Sequence, residues 1–150
     1  MLYGYGGNIL RVNLTTGKIT KEPTSPELAR DYIGGRGFGA YLLYKEVPHG
    51  ADPLGPENKL FISSGPMSGT LIVGAGKMDF TTKSPLTGGY ASSSLGGLLT
   101  AEMKYAGIDS IILEGISPKP VYLFIDDDKI ELRDAAELWG KGTILSLIHI

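Results

Sequence analysis

The 33 residues 65–97 hold most of the chemistry this 150-residue chain can offer: eight of its 22 glycines, Lys77 and Lys83, and the run Ser92-Ser93-Ser94 ahead of Gly96-Gly97. Glycine at that density lets the backbone reach positive φ and approach a ligand closely, and a helix start offers unpaired N–H groups. Those features suit a ligand bearing phosphate. A single helix-dipole contact is worth only about 0.3 to 1 kcal/mol at an exposed site, so tight binding needs several donors to converge, Lys77 or Lys83 among them. No Walker loop is present, because no Gly-Lys-Ser/Thr follows the glycines at the required gap.

Other reactive side chains read more plainly. Arg36, inside Gly35-Arg36-Gly37-Phe38-Gly39, is either an anion contact on a glycine loop or an arginine bonded to carbonyls at a helix junction. The serines 92–94 fit capping and backbone presentation better than nucleophilic chemistry. A hydrolytic triad has no histidine to build on, since His49 sits in a Pro-His-Gly turn and His149 in the last residues. Asp126-Asp127-Asp128 lacks the central glycine and closing glutamate of a calcium loop and reads as a hairpin turn. Without cysteine the chain offers no disulfide, no zinc thiolate and no iron–sulfur ligand.

The elements that must position these residues alternate between two periods. Residues 9–14 and 18–21 flank Thr15-Thr16-Gly17 as a β-hairpin. Ser25-Pro26-Glu27 starts a short amphipathic helix that Gly34-Gly35 stops. A second helix is predicted over residues 40–46, ended before Pro48. Residues 59–63, 78–82 and 90–93 read as strands, and from Gly96 the pattern changes period, the stripe of Leu95, Leu98, Leu99, Met103 and Ala106 reading as a helix stopped at Gly107. Residues 110–114 form another strand, 121–125 and 129–133 a second hairpin, and Asp134 with Glu137 a capping pair for a last short helix through Trp139.

Composition bounds the rest. Fourteen basic against sixteen acidic side chains give a net charge near −2, with no clustered basic face for nucleic acid. No signal peptide and no stretch approaching about 20 apolar residues appears, which predicts a cytoplasmic protein without membrane contact. No linker divides residues 1–143, a single domain. Residues 144–150 (Ile-Leu-Ser-Leu-Ile-His-Ile) form an uncapped apolar run expected to be a truncation scar or foreign sequence.

Taken together and in order, Tyr3-Gly4, Arg11-Val12-Asn13-Leu14-Thr15-Thr16-Gly17, Gly35-Arg36-Gly37, Asp52-Pro53-Leu54, Pro56-Glu57-Asn58-Lys59-Leu60, Gly65-Pro66, Thr82-Lys83-Ser84-Pro85-Leu86-Thr87-Gly88 and Glu114-Gly115 resemble the N-terminal domain of the aldehyde ferredoxin oxidoreductase family. The resemblance runs from about Tyr3 to Thr143. It implies an α+β domain of mostly antiparallel β-sheet with short packing helices, forming a base for a tungsten or molybdenum cofactor. In that family a bis-pterin (tungstopterin or molybdopterin) holds the metal, and a magnesium ion bound partly through backbone carbonyls joins the pterin phosphates. The enzyme oxidises small aldehydes to carboxylic acids and passes electrons through a four-iron four-sulfur cluster (4Fe-4S) to ferredoxin.

Carried over position by position, the resemblance puts Lys77 where the family has an arginine meeting the pterin, keeping the charge without the bidentate fork. It puts Ser94 where the family has an asparagine whose backbone carbonyl binds magnesium. Gly96 matches a glycine suited to close approach. Lys77 and the Ser94-Leu95-Gly96 backbone are thus the cofactor-binding candidates, Ser94 through its carbonyl the metal candidate, and no residue is a catalytic one. The cluster cysteines, a second pterin segment and the acid, lysine and histidine near the metal lie further along in the family. The chain is accordingly expected to be an N-terminal piece that works with the remaining domains of one polypeptide, with a homo-oligomer as one further assembly open to it, and alone neither oxidises aldehydes nor retains metal. A stand-alone pterin- or nucleotide-binding module and an inactive truncation product are the alternatives, which a full reading frame would separate.

Overall fold

The computed structural model of the protein describes residues 3–143, and the closing run 144–150 lies outside the described residues. The elements follow as β1 (Asn8–Asn13), β2 (Ile19–Pro23), α1 (Pro26–Tyr32), α2 (Arg36–Glu46), β3 (Lys59–Ser64), β4 (Lys77–Lys83), β5 (Tyr90–Gly96), α3 (Leu99–Tyr105), β6 (Ile108–Glu114), β7 (Val121–Asp126) and β8 (Lys129–Asp134). Six strands form one sheet in the order β2-β1-β6-β3-β4-β5, with β7-β8 as a separate hairpin. Within the six, only β1 and β6 run parallel, and the other four pairings are antiparallel. This is the expected α+β architecture, largely antiparallel.

Strand β6 is buried without alternation from Ile108 to Ile112, because the sheet is covered on both faces. On one face α1 and α2 enclose Ile9, Leu28, Phe38, Leu42, Phe61 and Ile112. On the other, Leu10, Val12, Met78, Met103, Ile108 and Ile111 pack with the partly buried Leu123, Ile125, Ile130 and Leu132 of the β7-β8 hairpin. The two β1 sets alternate in sequence, as a strand buried on both sides requires. Helix α1 opens as its residues dictate, with the Ser25 hydroxyl accepting from the Leu28 N–H at 3.1 Å and Pro26 in the first turn.

Three local readings are corrected. Helix α2 begins at Arg36, not Ala40, so the presumed glycine loop is its first turn. Gly37 and Gly39 are tolerated there because close packing demands them: a Cβ on Gly37 would lie 2.1 Å from the Tyr32 carbonyl oxygen. Strand β5 continues through Ser94-Leu95-Gly96, and α3 starts only at Leu99, so the serines are strand residues and not helix caps. Leu98 and Leu99 of the expected stripe are exposed, leaving Met103 and Thr100 as the buried residues of α3. The predicted last helix is a single turn in which Leu138 and Trp139 N–H both donate to the Ala135 carbonyl, while Asp134 accepts from Ala136 N–H and Lys119 in place of a box with Glu137.

Candidate functional site

One end of the helix-covered sheet face stays open. There the α1–α2 connection (Ile33, Gly34, Gly35, Arg36), Gly65-Pro66 after β3, and Lys77, Met78, Asp79 and Ser94 of β4 and β5 line a shallow cleft of about 330 Å³. The connection is conformationally extreme. Ile33, a β-branched residue, sits at φ 64°, and Gly34 and Gly35 follow at φ 152° and 50°. It is held against β3 by the Gly35 N–H donating to the Ser64 carbonyl at 2.9 Å, and a Cβ on Gly34 would lie 2.7 Å from that same oxygen. The turn thereby brings Arg36 onto the β4–β5 end of the sheet.

Asp79 lies at the floor of the cleft, its side chain 5% exposed. A carboxylate buried so deeply requires hydrogen-bond partners, and it has three hydroxyls. Thr81 Oγ1 donates to Oδ1 at 2.8 Å, Ser92 Oγ donates to both oxygens at 3.0 and 2.8 Å, and Ser94 Oγ donates to Oδ2 at 3.2 Å. Arg36 Nε stands 3.6 Å from Oδ2, with the arginine largely in solvent. Lys77 is exposed and forms no ion pair among the described residues. Two cations therefore face the opening above one buried anion.

The ladder fixes where the main chain of β5 points. Gly97 N–H donates to Gly76 O at 3.1 Å, bracketing the Lys77–Gly96 pair, and Ser84 N–H donates to Gly89 O at 2.7 Å, bracketing Lys83–Tyr90. Both are non-hydrogen-bonded pairs of an antiparallel ladder, and such pairs recur at every second residue. Thr81–Ser92 and Asp79–Ser94 are then of the same kind. The N–H and C=O groups of Ser92, Ser94 and Gly96 consequently turn away from β4, and β5 is the edge of the sheet, so nothing else in it pairs with them.

Of the residues singled out from sequence, Lys77 and Ser94 meet in the cleft, and Gly96 stands directly opposite Lys77. The Leu95 side chain, paired with Met78, falls on the other sheet face and does not enter it. A Cβ on Gly96 would meet only the Gly76 oxygen at 3.7 Å, so packing within the chain does not demand glycine there. Lys83 is turned elsewhere, donating to the Ala51 carbonyl at 2.6 Å. Among the described residues Arg36 forms no hydrogen bond to a carbonyl, and the charged group it stands beside is Asp79. Asp79 was missed because in the alternating Lys-Met-Asp-Phe-Thr strand it falls on the polar side with Lys77 and Thr81, and only the fold buries it there. His49 is exposed in a turn, and Asp126-Asp127-Asp128 is the β7-β8 hairpin turn. Among the described residues no group of three His, Cys, Asp or Glu side chains could hold a metal ion, and no helix is long and apolar enough to cross a membrane.

Residues 9–147 match the family model described as aldehyde ferredoxin oxidoreductase, N-terminal domain. The chain is 51% identical over 140 residues to a tungsten-containing aldehyde ferredoxin oxidoreductase of Thermococcus kodakarensis, covering 93% of this chain and 23% of that one. It is 41% identical over 157 residues to an aliphatic sulfonate oxidoreductase, WOR-like subunit, of Pyrococcus furiosus, covering 99% of this chain and 25% of that one. Among solved structures, the active-site complex BamBC of benzoyl coenzyme A reductase with 1,5-dienoyl-CoA superposes with TM-score 0.96 at 42% identity, over 99% of this chain and 23% of that one. The chain thus spans about a quarter of the length of the relatives it matches.

Proposed function

Since the chain belongs to the aldehyde ferredoxin oxidoreductase family, whose N-terminal domain it represents, we propose that it is the cofactor-holding base of a longer tungsten- or molybdenum-pterin oxidoreductase. The observation that carries this reading is the outward main chain of Ser94 and Gly96 beside Lys77 and Arg36. A free carbonyl is the hard oxygen donor that magnesium takes, and a free N–H flanked by two cations suits a phosphate oxygen. Ser94 would hold the ion by its carbonyl, Gly96 would donate its N–H with no side chain in the way, and Lys77 and Arg36 would neutralise the phosphates. Lysine at 77 acts as a point charge and leaves bidentate contact to Arg36. When bound, such a cofactor supplies the two-electron chemistry that no side chain of this segment offers.

Relatives named for aldehyde, for aliphatic sulfonate and for benzoyl-CoA chemistry share this one segment at 41–51% identity. Their names differ in substrate, which favours for the shared piece a role that does not depend on the substrate, such as holding a cofactor. The reaction we assign to the whole enzyme is oxidation of a small aldehyde to its acid, with electrons leaving through a four-iron four-sulfur cluster to ferredoxin in the cytoplasm. The test is to purify the full-length protein without oxygen, then measure tungsten, molybdenum, magnesium and released pterin, and assay viologen-linked aldehyde oxidation. Bound pterin with either metal and magnesium supports the reading; a folded protein with no pterin overturns it.

A further inference from the structure

We infer that Asp79 is the positioning residue of this site: a buried carboxylate that, by holding the serine hydroxyls on the inner side of β5, fixes the outward carbonyl of Ser94 and N–H of Gly96. This rests on the cofactor reading above and adds to it the part that makes an edge strand a rigid ligand. An edge strand has neighbours on one side only, and one of serine, leucine and glycine has little intrinsic preference for extended structure. Strand β5 is such a strand, mostly exposed from Ser94 to Gly96. Its inward anchors are Ser92 Oγ, 2.8 and 3.0 Å from the Asp79 oxygens, and Ser94 Oγ at 3.2 Å. Thr81 Oγ1 at 2.8 Å fixes the carboxylate itself, and Arg36 Nε at 3.6 Å adds the one cation within ion-pair distance of it among the described residues.

Two consequences follow from the chemistry. A serine hydroxyl left free competes for its own or a neighbouring backbone group. Asp79 occupies both hydroxyls, so the Ser94 main chain remains available outward. The side chain at 94 then does not act on the ligand at all; it faces the floor, and a residue of different length can stand there provided the floor receives it. Asp79 also draws Arg36 over the cleft without engaging its terminal nitrogens, which form no hydrogen bond among the described residues.

The experiment compares Asp79→Ala, Asp79→Asn and the double variant Ser92→Ala/Ser94→Ala in the full-length protein, reading magnesium and pterin per protein and the free magnesium concentration needed to restore magnesium after chelation. Asp79→Ala and the serine double variant are expected to raise that concentration about tenfold or more. Asp79→Asn keeps the shape and can donate to one serine while accepting from another, so it should recover most of the loss. A folded Asp79→Ala protein that rebinds magnesium like wild type overturns the inference while leaving the cofactor reading intact. If Asp79→Ala does not accumulate in folded form, the serine double variant decides by the same measure. A wild-type protein free of pterin and magnesium overturns the cofactor reading, and the inference with it.

Discussion

Gly39 of α2 lies so close to Thr81 of β4 that a Cβ on the glycine would sit 2.2 Å from Thr81 Oγ1 and 2.6 Å from its Cβ. The helix can approach the sheet this closely only with glycine at 39, and the approach sets Arg36, three residues earlier, over Asp79. Overpacking of a rigid contact typically costs about 1–3 kcal/mol, and Thr81 is itself fixed by its bond to Asp79. Gly39→Ala should therefore lower the melting temperature of the full-length protein by several degrees. An unchanged melting temperature would show that α2 can lift without cost.

Lys77 tests the charge at the mouth of the cleft. Its side chain is exposed and forms no hydrogen bond or ion pair among the described residues, so substitution there should leave the fold within about 0.5 kcal/mol of wild type. Lys77→Glu is expected to reduce the pterin and magnesium recovered with the full-length protein several-fold, and Lys77→Arg to retain them, because the anion is met by charge and the fork adds geometry. Equal cofactor content in the glutamate variant would remove Lys77 from the site.

Asp109 is a buried carboxylate with a structural task. Its oxygens accept from Gly6 N–H at 2.7 Å, Gly7 N–H at 2.8 Å and Thr24 Oγ1 at 2.8 Å, and it pairs with the Lys104 ammonium. Both charged side chains are sequestered, at 1% and 7% exposure. Asp109→Asn strands a buried cation, and losses of this kind run to about 3–5 kcal/mol. Chemical denaturation should show that loss, and a second substitution, Lys104→Met, should recover part of it. Failure of the double variant to recover any stability would mean that the Gly6-Gly7 bonds, not the ion pair, carry the effect.

How far sequence reasoning reached can be judged from these same residues. The β1-β2 and β7-β8 hairpins, the apolar strands β3 and β6 and the Ser25 cap follow from local pattern, because period and turn chemistry are written in neighbouring residues. The start of α2 and the extent of β5 do not. Gly37 and Gly39 read as helix breakers until Tyr32 and Thr81 are seen against them, and Ser92 and Ser94 read as caps until Asp79, more than a dozen residues away, supplies their partner. The parallel β1–β6 pairing joins segments about a hundred residues apart and leaves no local mark. Lys77 and Ser94, singled out from sequence, line one cleft in the fold, whereas the placing of Arg36 and Asp79 beside them depends on a turn that only the folded chain reveals.

Thr100 carries the one buried side-chain polar atom without a hydrogen-bond partner among the described residues. An unpaired hydroxyl is a desolvation cost with no return, of the order of 1–3 kcal/mol. Thr100→Val keeps the shape and removes that cost, so it should match or exceed wild type in thermal stability. A drop of more than about 1 kcal/mol would mean that the hydroxyl is paired in the folded protein, by water or by another part of the polypeptide.

The remaining prediction concerns pH. Arg11 Nη1 and Nη2 bond both Glu46 oxygens at 2.8 and 3.0 Å, its Nε bonds Glu22 at 3.1 Å, and Lys59 Nζ meets Glu46 at 2.9 Å and Glu114 at 3.0 Å. Burial works to raise the pKa of Glu46, but the hydrogen bonds and charges of Arg11 and Lys59 outweigh it and hold the group below the ordinary 4.5. Glu114 behaves alike, burial opposed chiefly by Lys59. Both carboxyls are thus more acidic folded than unfolded. Their contribution is fully present above the ordinary glutamate value and is lost as pH falls through the lowered folded one. Lys59 is shifted upward, its burial outweighed by Glu46 and Glu114, so its contribution fades only at alkaline pH above the ordinary 10.5. The melting temperature should therefore hold steady near neutrality and fall as pH drops below the ordinary glutamate value of 4.5. Glu46→Gln should cost about 1–2 kcal/mol at neutral pH, a figure reduced for the partial solvent access of the pair, and should flatten the acid decline. An acid slope in the glutamine variant as steep as that of wild type would assign the decline to other carboxyls.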